Sequence, residues 1–101
     1  MNETIYTIHD LRRIVAPIAK QYHVNRVFLF GSYARGEATS ASDLDFRIEK
    51  GELRSRLQLA GFQLDLESSF SKKLDVLTTQ MLTPQFLSSI RPEEVLIYAQ
   101  G

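Results

Sequence analysis

Apolar residues along this chain keep two different periods. Ile8, Leu11, Val15, Ile18 and Tyr22 recur three and four apart, the spacing of one face of a helix. Thr7 stands where a cap is needed, and Pro17 lies inside, where proline kinks a helix or splits it. Arg26–Phe30 is a near-continuous apolar run, suited to a strand in the middle of a sheet. Residues 32–36 read as a short helix and 37–42 as a loop of small residues. At 43–49 the period becomes two. Leu44, Phe46 and Ile48 lie on one face, with Asp43, Asp45 and Arg47 on the other. Lys50-Gly51 is a turn. Over 52–70, Leu53, Leu57, Ala60 and Leu64 form one helical stripe, widened by Leu59, Phe62 and Leu66. This predicts a helix buried against the sheet, with apolar breadth to spare for a partner. Residues 73–79 and 95–98 read as further strands. Between them Thr83-Pro84 is an N-cap and first helical position, opening a helix to Ile90. The expected architecture is α/β (α+β), a small mixed sheet of about four strands packed against helices.

Composition narrows what such a domain does. A chain of 101 residues with 44% hydrophobic content fits one domain, 1–101. Its formal net charge is zero, and neither half departs from it by more than one unit. With no basic field to hold a nucleic-acid backbone, direct nucleic-acid binding is disfavoured. There are no cysteines, which excludes disulfides and thiolate zinc sites. No apolar run approaches a membrane span, and the polar first residues do not resemble a secretion signal. The expectation is a cytoplasmic protein without a membrane partner.

The chemistry is concentrated in one run, FGSYARGEATSASDLDF, from Phe30 to Phe46. Gly31 and Ser32 follow a strand and open a turn whose backbone N–H groups converge, an arrangement that favours an anion. Glycine lets the chain approach a phosphate closely, and the serine hydroxyl donates to it. Asp43 and Asp45, two apart on a strand, leave the same face and suit Mg²⁺, which takes oxygen ligands and shares them with substrate phosphates.

A Gly-Ser pair followed by Asp-x-Asp resembles the signature of the DNA polymerase beta-type nucleotidyltransferases. The short chain is similar to their minimal members, the MNT antitoxins of HEPN/MNT toxin–antitoxin pairs. The likeness covers roughly 24–98. It implies the polymerase beta-like fold and transfer of AMP from ATP, with two Mg²⁺ ions held by Asp43, Asp45 and a third acid on the next strand. Asp75, in Leu74-Asp75-Val76-Leu77, is the match, since Asp65 and Glu67 fall on the preceding helix. The resemblance also implies a partner, a HEPN-domain ribonuclease toxin whose tyrosine receives the AMP. Two other readings stay open. One is a silent antitoxin that only masks its toxin. The other is a small-molecule (aminoglycoside-type) nucleotidyltransferase working with a helical subunit.

Further residues carry weaker signals. Arg35, three after Ser32, returns toward the same side and is a candidate phosphate contact, or else a solvated arginine. Tyr33 is a candidate to pack on the base or the partner. Arg47 shares the face of Asp43 and Asp45, so it either pairs with a carboxylate or the triphosphate, or lies solvated past the cleft. His9 and His23 lack metal spacing and read as surface or half-buried histidines. Phe28, Phe30 and Phe46 read as core, and Lys72-Lys73 as solvated charges.

Overall fold

A computed structural model describes residues 5–100. Thr7 starts α1 (Ile8–Gln21) through a reciprocal box. Its hydroxyl accepts from the Asp10 N–H, and the Asp10 carboxylate accepts from the Thr7 N–H. The helix runs through Pro17 without being split. Then follow β1 (Arg26–Phe30), β2 (Leu44–Glu49), α2 (Arg56–Phe70), β3 (Leu74–Thr78), α3 (Pro84–Ile90) and β4 (Val95–Ala99). Short 3-10 turns at Thr79–Met81 and Arg91–Glu93 flank α3.

The four strands form one mixed sheet in the order β3-β2-β1-β4. β1 is antiparallel to β2 and β4, whereas β3 runs parallel to β2, with α2 as the crossover. Side-chain alternation gives the sheet two unlike faces. Val27, Leu29, Leu44, Phe46, Ile48, Leu74 and Val76 are buried with Leu11, Val15 and Ala19 of α1 and Phe62, Leu66 and Phe70 of α2. Register places Phe28 opposite Arg47 and Phe30 opposite Asp45 on the other face, with Asp75 beside Asp45. That second face carries the polar residues.

Four expectations are corrected. The α2 helix begins at Arg56, not residue 52, because Ser55 and Gln58 form a capping box there. Its inward stripe is Phe62, Leu66 and Phe70, the bulkier set. Leu57 (84% exposed) and Leu64 (62% exposed) point away from the core. Residues 32–36 form turns rather than a helix. The bonds Arg35 N–H to Gly31 O (3.1 Å) and Glu37 N–H to Ser32 O (2.9 Å) close one loop, and Gly36 at φ 73° ends it. Five residues cannot repay helix nucleation without packing. Asp43 precedes β2 instead of lying within it.

Candidate functional site

The site is built around Asp45. On one side its strand neighbour is Phe30, immediately before Gly31, and on the other its parallel neighbour is Asp75. Gly31 has φ 79°, and a Cβ placed there would collide with the Asp45 carboxylate, lying 3.2 Å from its Cγ. Glycine is therefore required twice, by backbone conformation and by contact with the carboxylate. The Gly-Ser turn and the acidic strand, twelve residues apart at their nearest in sequence, touch in space.

Asp45 is half-buried, and its carboxyl pKa is pushed up to about 6. Burial is the largest cause, followed by the charges of Asp75 and Asp43, while Arg35 pulls the other way. Asp43 and Asp75 are exposed. Asp75, the apparent anomaly in an apolar strand, is accommodated because β3 is an edge strand. Among the described residues, no set of three His, Cys, Asp or Glu side chains is already closed into a metal cage. A half-buried carboxylate whose pKa is raised first by burial and then by two neighbouring acids is one that a divalent cation relieves, so the oxygens present fit Mg²⁺ in chemistry.

Arg35 lies at this site but is held by protein carboxylates. Its Nε donates to Glu37 (3.1 Å) and its Nη1 to Glu93 (3.3 Å). Glu93 also accepts the Gly31 N–H at 2.6 Å. Lys72 pins the loop before Asp43, its ammonium donating to the carbonyls of Ser40 (3.0 Å) and Ser42 (2.5 Å), and so is not merely solvated.

Two candidates do not face the carboxylates. Tyr33 is buried in the core cluster, so its ring is not free for a base. Arg47 is 4% exposed and pairs with Glu94 through Nε (2.6 Å) and Nη2 (2.9 Å), with a further bond to Thr79. Its guanidinium lies 4.3 Å from the centroid of Phe28, which lies half-buried under it. It is neither a carboxylate partner of the site nor solvated. A guanidinium in a strand this apolar needs a buried counter-charge, and Glu94, at the entrance to β4, supplies it. Glu93 and Glu94 were the residues that periodicity alone did not single out. The requirement for a partner to Arg47 was the available signal.

Comparison with known proteins bears on the fold and the family. The family described as Polymerase beta, Nucleotidyltransferase matches residues 13–101. A protein of Methanocaldococcus jannaschii named "Putative protein adenylyltransferase" is 38% identical over 88 residues, spanning 87% of this chain and 95% of that protein. A solved structure described as a "putative minimal nucleotidyltransferase" superposes with TM-score 0.77 at 29% identity, over 91% of this chain and 97% of that one. A chain from a complex of tri-AMPylated Shewanella oneidensis HEPN toxin with MNT antitoxin shares the fold, with TM-score 0.71 at 10% identity over 93% of this chain and 74% of that one.

Proposed function

The chain belongs to the polymerase beta-type nucleotidyltransferase family, and from that premise we propose that it is an antitoxin that transfers AMP from ATP to a tyrosine of a HEPN-domain ribonuclease toxin. The observation that carries the reading is the meeting of the Gly31 turn with Asp45 and Asp75 at one point of the sheet. It joins an anion-binding turn to a metal-type carboxylate set, the two parts that nucleotidyl transfer needs. The name of the Methanocaldococcus relative supports a protein acceptor. The complex of the same fold with a HEPN toxin supports the partner's class. The exposed Leu57 and Leu64 on the outer side of α2 are apolar surface available to such a partner.

In this reading Gly31 and Ser32 hold the triphosphate, and Arg35, held beside the turn by Glu93, adds charge. Asp43, Asp45 and Asp75 hold Mg²⁺, two ions in the full set. Bound there, the metal supplies charge neutralisation on the phosphates and acidifies the acceptor hydroxyl. Asp75, exposed on its edge strand, takes the phenolic proton. The phenolate oxygen forms a bond to the α-phosphorus, the bond from that phosphorus to the bridging oxygen breaks, and pyrophosphate leaves. Positioning and charge carry such a reaction, with little covalent work for the protein. Among the described residues, no helix is long and apolar enough to cross a membrane, and a cytoplasmic setting supplies ATP and Mg²⁺.

The test is intact-mass spectrometry of the co-encoded toxin after incubation with this protein, ATP and Mg²⁺. AMP-sized additions that map to tyrosine, and disappear with Asp75→Asn, are expected. A toxin that is inactivated yet unmodified moves the reading to masking alone.

A further inference from the structure

We propose that Glu93 is a positioning residue for nucleotide binding, clamping the Gly-Ser turn and Arg35 to the rigid sheet; the proposal rests on the nucleotidyltransferase reading of that turn. Two adjacent carboxylates, Glu93 and Glu94, do different work. Glu94 is locked inside the protein by the two-point bond from Arg47 of β2, whose third donor group reaches Thr79. That anchor fixes the backbone between the 3-10 turn Arg91–Glu93 and β4. Glu93 is thereby delivered over the turn that follows β1, where it accepts the Gly31 N–H at 2.6 Å and the Arg35 guanidinium at 3.3 Å. The chain of contacts runs from Arg47 through Glu94 and Glu93 to Gly31, joining the middle of β2 to the phosphate-binding turn by way of the far end of the chain.

The arrangement also decides between clamp and plug. A carboxylate filling the whole anion site would consume its donors. Glu93 takes only the first N–H of the turn. Among the described residues, the N–H groups of Ser32, Tyr33 and Ala34 form no hydrogen bonds, so Glu93 does not consume the other donors of the turn. A charge-assisted bond of this length is a strong one. It restrains a glycine at positive φ that otherwise has a wide choice of conformations. Glu93 therefore fixes the orientation of the three free donors before the nucleotide arrives, reducing what binding must spend on ordering the loop.

The experiment is titration of Mg-ATP into the full chain by calorimetry, with Glu93→Ala and Glu93→Gln compared against wild type, together with KM for ATP and for the protein acceptor. Glu93→Ala is expected to weaken Mg-ATP roughly tenfold, the scale of one lost charge-assisted bond. It should raise KM for ATP and leave KM for the acceptor unchanged. Glu93→Gln keeps an acceptor for the Gly31 N–H and should recover most of the affinity. This rescue is the readout that a general loss of stability cannot mimic. Unchanged or tighter binding by Glu93→Ala overturns the clamp in favour of a plug. Equal loss in both variants with a lowered melting temperature overturns it in favour of a merely structural role. Wild-type protein that binds no Mg-ATP overturns the nucleotide reading itself, a result distinct from either.

Discussion

Asp45 and Arg47 stand two residues apart on one strand, leave the same face of the sheet, and are treated in opposite ways. Arg47 is sealed between the Phe28 ring and the chain before β4 with a matching carboxylate at two points. Asp45 is half-buried beside Asp75 and near Asp43 with no bonded counter-charge, and its pKa rises accordingly. One strand thus carries a charge that is fully answered and a charge that is left wanting. The first holds strand and chain end together, and the second carries a carboxyl pKa raised by burial and by its acidic neighbours. The unanswered charge stands where solvent and ligand can reach it, and the other is closed away from both.

The sharpest way to break this contrast is to remove the unanswered charges. Asp43→Asn with Asp45→Asn should reduce transfer by a few orders of magnitude, the usual scale for losing metal ligands in a transition state. The fold should persist. Rates of AMP labelling in the purified pair, with circular dichroism as control, check both halves. Wild-type labelling by the double variant would falsify the catalytic assignment.

Removing the answered charge should do the reverse. Arg47→Met leaves Glu94 buried without its partner, which costs about 3–5 kcal/mol in such settings. Denaturant unfolding should show the loss. Restoring apolar character on both sides, with Arg47→Met and Glu94→Leu together, should return much of it. Equal destabilisation in single and double variants would mean that the pair matters only through packing.

The smallest expected effect concerns Asp45 alone. Its folded pKa lies above its unfolded one, so the folded state holds the proton more tightly. Its contribution to stability is present below the unfolded pKa and is lost as pH rises from about 4 through about 6. In EDTA, Asp45→Asn should therefore melt with wild type near pH 4 and exceed it by about 1 kcal/mol at pH 7, after allowing for solvent screening. Melting curves across that range, repeated with Mg²⁺ and ATP, check the sign. Ligand should stabilise the wild type and not the variant.

Much of this organisation is legible in the bare sequence. The strand at Arg26–Phe30 and the helix Pro84–Ile90 are read with their observed bounds, because a short apolar run and a Thr-Pro start are strong local signals. The Gly-Ser turn, Asp43 and Asp45 come from a motif and Asp75 from the family resemblance, and register sets Asp45 beside Asp75 and close to Gly31. What escaped was set by tertiary choice. The α2 sequence is apolar on several sides, so its inward face was decided by which residues filled the core. Arg47 was misplaced because alternation assigns a face but not a partner, and its partner lies 47 positions later. Glu93 was missed for the same reason.

The sheet order has a consequence in time. β1 sits in the middle, yet its outer neighbour β4 is the last strand in the sequence, with Val27 pairing to Tyr98. At ordinary rates of synthesis the ribosome makes the second on the order of several seconds after the first. For that interval the apolar run Arg26–Phe30 has an open edge, the kind of surface on which strands of other chains add. Glu93, made just before β4, reaches Gly31 in the same late step. An emerging chain therefore displays its acidic pair well before it has a clamped turn to use with it, and early exposure and late competence follow from a single strand order.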